Sequence, residues 1–142
     1  MFLTVECDNA IRIIRALTNR PKLSVSEIAK EEHISHAFVQ KILARLIKAK
    51  YVGSERGRNG GYYLARPASS ISLWDIYSVI SPNKYLCACL SEENNCPNKT
   101  RNQQHCKVHK EMARIHQLLI TEFSSVSMEE IAFSSDSEKS MV

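Results

Sequence analysis

The chain has 142 residues, a formal net charge of +4, 44% hydrophobic and 24% charged residues. With only four glycines and four prolines, that composition excludes a collagen-like or disordered chain and fits one ordinary domain with an appended element. No apolar run nears the roughly 18–20 residues that span a bilayer, and residues 1–10 carry Glu6 and Asp8 but no Lys or Arg, unlike a secretory signal. A cytoplasmic protein that touches no membrane is expected.

The first helix is expected around Ala10, Ile13, Ile14 and Leu17, which form one apolar face. Asn19-Arg20-Pro21 ends it. Ser24-Val25-Ser26-Glu27 reads as a capping box, the start of a short helix through Glu31. His33-Ile34-Ser35 reads as a tight turn with Ser35 as the next N-cap. The helix that follows places Val39, Ile42, Leu43 and Leu46 on one face, and Gln40, Lys41, Arg45 and Lys48 on the other.

Two short extended runs then flank Gly57-Arg58-Asn59-Gly60-Gly61. Asn59-Gly60 suits a type I′ turn, whose central residues need positive φ. A β-hairpin with a basic tip is expected. Ser72 caps a helix from Leu73 to about Ile80, with Asp75 favoured in its first turn by the helix dipole. Residues 81–106 show no apolar period and read as a long loop. A final helix begins at Cys106. Its Val108, Met112, Ile115 and Leu119 form an apolar seam that one helix alone leaves uncovered, and Val126 resumes it after Glu122.

The expected fold is therefore mainly α with a small β-hairpin wing: a winged helix-turn-helix plus a long dimerisation helix. Residues 1–66 form the DNA-binding domain, 67–105 a connecting helix and cysteine loop, 106–128 the dimerisation helix, and 129–142 a C-terminal tail that is polar from Ser134. Charge follows the same division. Residues 1–66 hold 12 Lys/Arg against 6 Asp/Glu, net +6, whereas residues 67–142 hold 7 against 9, net −2. A duplex with one negative charge per ~1.7 Å of axis requires such a cationic face. The leading residues of the second helix of the pair, Ser35, His36, Ala37, Gln40 and Lys41, are the candidates for the major groove. Gln40 suits a bidentate contact to adenine. Arg56 and Arg58 on the wing would reach the backbone or minor groove. A double-stranded DNA operator is the expected partner.

Four of the five cysteines fall in one window, with the pattern C-x-C-x6-C-x9-C over Cys87, Cys89, Cys96 and Cys106. In a reducing compartment a cluster of thiols points to metal. The spacing lacks the two tight knuckles of structural zinc. It suits an iron–sulfur cluster, [2Fe–2S] or [4Fe–4S], held by three loop cysteines and one ligand from elsewhere. His105 and His109 flank Cys106 as possible ligands, while Cys7 reads as a small buried hydrophobe.

Together, Asp8 at the head of a helix, Ser24 to Ala29, Gly57-Arg58-Asn59-Gly60-Gly61-Tyr62-Tyr63-Leu64-Ala65-Arg66-Pro67, and Ile71 to Ile76 before a cysteine loop resemble the Rrf-two family of bacterial winged-helix regulators (NsrR-, IscR- and RirA-like). The resemblance covers about residues 1–130. It implies a homodimer in which the long helix crosses its partner. It also implies cluster ligation by Cys89, Cys96 and Cys106, with Cys87 as an alternate. The fourth ligand it implies is either His109, which follows Cys106 as C-x2-H, or Asp8 from the other subunit. The function so implied is that of a non-enzymatic transcriptional repressor whose cluster senses nitric oxide, redox stress or iron status. The alternative is a cluster-free regulator of the same fold using thiol oxidation, zinc or a protein partner. A thiol oxidoreductase built on Cys87-Ala88-Cys89 lacks any substrate fold around the pair.

Overall fold

The computed structural model describes residues 3–81, 83–91, 93, 96 and 106–133. Helix α1 (Val5–Asn19) starts one turn earlier than Asp8, because the Thr4 hydroxyl accepts from the Cys7 amide. Asp8 thus lies inside the first turn. Cys7, Ala10, Ile13, Ile14 and Leu17 are all buried, as the helical spacing requires.

Helix α2 (Val25–Glu32) carries the expected capping box. The Glu27 amide donates to the Ser24 hydroxyl at 3.2 Å, and the Ser24 amide donates to the Glu27 carboxylate at 2.8 Å. The helix stops at His33, whose left-handed backbone (φ 54°) makes the tight turn. Ser35 then caps α3 (His36–Lys48), which buries Val39, Ile42, Leu43 and Leu46. These α3 residues pack with the inner face of α1 and with Ile28 in one core.

Strands β1 (Val52–Glu55) and β2 (Gly61–Leu64) pair antiparallel, with Val52 opposite Leu64 and Glu55 opposite Gly61. The turn between them differs from the sequence expectation. The Gly60 amide donates to the Gly57 carbonyl at 3.0 Å, so Arg58 and Asn59 are the central residues. Neither has positive φ; that freedom is used at Gly57 (φ 113°) and Gly61 (φ 155°). A five-residue loop, 56–60, lets the flanking glycines reverse the chain, so no type I′ turn is needed. A Cβ on Gly61 would meet the Leu23 carbonyl oxygen at 2.9 Å. That close approach lets Leu23 bridge Tyr62, through bonds of 3.0 and 2.8 Å, and fastens the hairpin to the α1–α2 connection.

A single 3-10 turn (Ala68–Ser70) leads to α4 (Leu73–Ile80). Ile71, Ile76, Tyr77 and Ile80 join the core formed by α1, α2 and α3. Another 3-10 turn, Ala88–Leu90, lies in the cysteine loop, and α5 (Lys107–Ser125) follows. No residue of α5 is fully buried. Val108 and Leu118 are 68% and 50% exposed, while Met112, Ile115 and Leu119 are half-buried. The uncovered stripe therefore includes Leu118, which the expected seam omitted.

Helix α5 ends at Ser125, and Val126 is extended, so Val126 does not continue the seam. A further helix, α6 (Met128–Phe133), follows. Its start was legible in Ser127-x-x-Glu130, a capping box with both hydrogen bonds formed. The Met128 amide donates to the Ile71 carbonyl at 2.8 Å, and Met128 is fully buried in the same core. Pro82, which the sequence offers as the stop of α4, His105 and the expected polar tail from Ser134 lie outside the described residues.

Candidate DNA-reading face and cysteine loop

The apolar stripe of α3 turns its opposite face outward. Ser35, His36, Ala37, Gln40 and Lys41 are all exposed, as are Ala44 and Lys48 one and two turns further on. Ala37 and Ala44 flank Gln40, so a groove wall meets little bulk there. Arg56 and Arg58 are exposed on the hairpin tip, and neither makes an ion pair among the described residues.

Lys41 and Arg45 are held differently. Both pair with Glu6 in the first turn of α1, Arg45 Nη1 at 2.9 Å. The hydrogen bond from Lys41, with smaller contributions from the Lys41 charge and from Arg45, holds the Glu6 carboxyl below the usual range against a partial opposing effect of burial. The sequence reading placed Arg45 on the outer face with Lys41 and missed Glu6. Nothing in a local pattern links residues 35 and 39 positions apart.

A second long-range contact braces the wing. The Arg66 guanidinium lies 4.6 Å from the centre of the Tyr51 ring, and Arg66 Nε donates to the Lys50 carbonyl at 3.1 Å. The Tyr51 hydroxyl donates to Asp75 at 3.2 Å. Burial alone would push the Asp75 carboxyl up. The Ser72 hydroxyl and amide, the Tyr51 hydroxyl and Arg66 outweigh burial and hold it below the usual range. Burial, then the Asp75 charge, pushes the Tyr51 phenol up. Asp75 is thus a capping-box residue of α4 as well as a favourable dipole charge. Through it, the root of the wing is tied to the helix that enters the cysteine loop.

In that loop Cys87 and Cys89 come together, Sγ to Sγ 3.3 Å. The Cys89 thiol is pushed up first by its hydrogen bond with Cys87, then by burial, and then by the charges of Cys87, Cys106 and Cys96. Among the described residues, no group of three or more His, Cys, Asp or Glu stands where it could hold a metal ion. Cys7 is fully buried in the core and accepts from the Thr4 hydroxyl at 3.3 Å, as a small hydrophobe would.

His109 lies half-buried in the first turn of α5, three residues after Cys106. Asp8 is 66% exposed at its side chain and pairs with Arg12 of its own helix at 3.7 Å. Sequence reasoning also passed over His116 of α5, which lies between the Trp74 and Tyr85 rings at 6.1 and 5.9 Å. Burial pushes its imidazole down, and its buried Nδ1 has no hydrogen-bond partner among the described residues.

A family model described as an iron-dependent transcriptional regulator, Rrf2, matches residues 3–133. The chain belongs to the Rrf2 family. The resemblance read from the wing and loop motifs is thereby established. Protein aau3 of Rhizobium meliloti is 39% identical to this Rrf2 chain over 100 residues, 68% of the chain and 65% of the relative, just under two thirds of that relative's length. Among solved structures, CymR of B. subtilis, the global cysteine regulator, superposes with a TM-score of 0.71 at 21% identity, covering 92% of this chain and 95% of that one. IscR of T. potens gives 0.72 at 18% identity, covering 99% and 93%. These likenesses establish the fold: mainly helical, with a two-stranded wing. No helix among the described residues of this Rrf2 protein is long and apolar enough to cross a membrane.

Proposed function

We propose that this Rrf2 protein is a homodimeric, DNA-binding repressor that uses an iron–sulfur cluster to sense nitric oxide, redox stress or iron status. The observation that carries the sensing half is the placement of four cysteines, Cys87, Cys89, Cys96 and Cys106, in the segment between α4 and α5, none of them fully buried. The donors suit iron in kind, since soft thiolates are the ligands of iron–sulfur centres. Cys89, Cys96 and Cys106 would hold the cluster, with Cys87 as an alternate and Asp8 of the partner subunit or His109 as the fourth ligand. A cluster bound there would supply iron sites open to nitric oxide and oxidants.

The chain's own residues do the rest. Ser35, Ala37 and Gln40 face the major groove, where His36 and Lys41 reach a base or a phosphate, and Arg56 and Arg58 face the phosphates or minor groove. The Asp75–Tyr51–Arg66 contacts relay a shift of α4 to the wing. The exposed Val108 and Leu118 side chains of α5 support pairing with a second copy, which sets the spacing of two reading heads on half-sites. No step is catalytic.

The test is anaerobic purification with iron and sulfide analysis, followed by titration with nitric oxide and with oxygen while operator binding is recorded. Iron, sulfide and visible absorbance are expected, with DNA affinity changing as the absorbance is lost. Protein free of iron and sulfide after anaerobic purification would overturn the cluster reading.

One contact favours a second reading. The 3.3 Å approach of Cys87 and Cys89 suits a cluster-free thiol switch. Mass spectrometry of the oxidised protein decides it: a Cys87–Cys89 disulfide in iron-free protein that changes operator affinity supports the switch. Its absence removes that reading.

A further inference from the structure

The cations of the reading face are of two kinds. Arg56, Arg58 and Lys48 are exposed and make no ion pair among the described residues. Lys41 and Arg45 both converge on Glu6, one on each carboxylate oxygen. The Glu6 side chain is 27% exposed and Arg45 34%, whereas Lys41 is 58% exposed. The pair is therefore anchored on the protein side and open on the side that α3 presents outward. A lysine already facing a carboxylate gains less from a phosphate, because the duplex must first displace the existing partner.

We propose that Glu6 is a built-in competitor for DNA phosphate, which holds Lys41 and Arg45 until a duplex displaces it. Glu6 thereby sets how much of the charge of α3 reaches DNA. This inference rests on α3 being the reading helix. Base-edge groups such as Gln40 are not engaged by Glu6, so the carboxylate acts against sequence-independent affinity and spares base readout. It is a specificity-determining residue that needs no contact with a base, since discrimination is the ratio of specific to non-specific binding.

The test uses the full chain, a fluorescent duplex of arbitrary sequence, and a salt titration. Glu6→Gln should bind several-fold more tightly. The slope of log affinity against log salt should steepen by about one to two, because each phosphate neutralised adds ~0.9. Glu6→Ala should do the same, and a thermal melt checks that both variants are folded. In a Lys41→Gln/Arg45→Gln background, adding Glu6→Gln should give no gain. Unchanged or weaker binding by folded Glu6→Gln overturns the proposal, and so does a gain that survives without Lys41 and Arg45. The two ideas fail separately. If removing Lys41 and Arg45 from the Glu6→Gln protein costs no affinity, α3 is not the reading helix. If it does cost affinity but Glu6→Gln alone gains none, only the competitor role is lost.

Discussion

The reading head and the cysteine loop are held by opposite means. In the head, the functional side chains sit on a capped helix whose inner face is buried or at the tip of a hairpin of paired strands. Val39, Ile42, Leu43 and Leu46 fix α3, and with it the outward direction of Gln40 and Lys41. In the loop, a single 3-10 turn is the only regular element among the described residues of 83–96, and no loop cysteine is fully buried. Apolar burial therefore fixes the reader's shape before any partner arrives. In the loop Cys87 and Cys89 approach, Sγ to Sγ 3.3 Å, and no metal site is closed among the described residues, so under the proposed function a bound group completes the geometry. A rigid reader joined to an incomplete sensor is the arrangement a switch requires: the part that changes is the part with least packing to lose.

The largest expected effect tests that contrast directly. Cys96→Ala, Cys106→Ala and the double variant Cys87→Ala/Cys89→Ala should each reduce iron and sulfide in anaerobic protein to background, yet leave the melting temperature of the metal-free protein unchanged. A large loss of metal-free stability would erase the distinction between the two regions. Leu46→Ala is the counterpart in the head. Leu46 is fully buried, so the variant should lose about 2–5 kcal/mol in chemical denaturation, and DNA binding should fall with it.

Next comes the Glu32 clamp. Glu32 is 4% exposed, and its carboxylate accepts from Arg12 at 3.2 Å and Arg15 at 2.6 Å, holding α2 against α1. Both arginines retain access to solvent, so Glu32→Gln should cost about 1–3 kcal/mol, below the cost of breaking a fully buried pair.

The smallest effect concerns acid. The Asp75 carboxyl is held below its unfolded value in the fold. Its contribution to stability is therefore present above the unfolded pKa and lost as pH falls through the folded one. Asp75→Asn should flatten the acid limb of a stability-against-pH curve below about pH 4. Its wing should also loosen, seen as faster hydrogen exchange at Val52 and Leu64. An unchanged acid limb would mean that the Ser72 and Tyr51 contacts add nothing.

Several of these features were legible because their causes are local. Ser24 and Glu27 are three residues apart, as are Ser72 and Asp75, and each pair forms its capping box from neighbouring atoms alone. The inward faces of α1 and α3 follow from 3.6-residue periodicity. The turn of the wing was misread because Asn59-Gly60 is only a local preference. The register Glu55 opposite Gly61 leaves five residues in the loop and shifts positive φ to Gly57 and Gly61. Val126 was misread because apolar spacing alone does not register a helix end, whereas Ser127 and Glu130 mark a new start.

The sequence by itself determined the family, the order of the elements, the inward faces of the head and the presence of a thiol-rich loop. Each is encoded in residue type or short spacing. Only the tertiary structure decided that Glu6 pairs with both Lys41 and Arg45, that Asp75 and Arg66 both hold Tyr51, and that Met128 returns to the core of the head. Those contacts join residues far apart in the chain. Charge attraction and ring stacking depend on where folded elements cross, and no sequence period records that crossing.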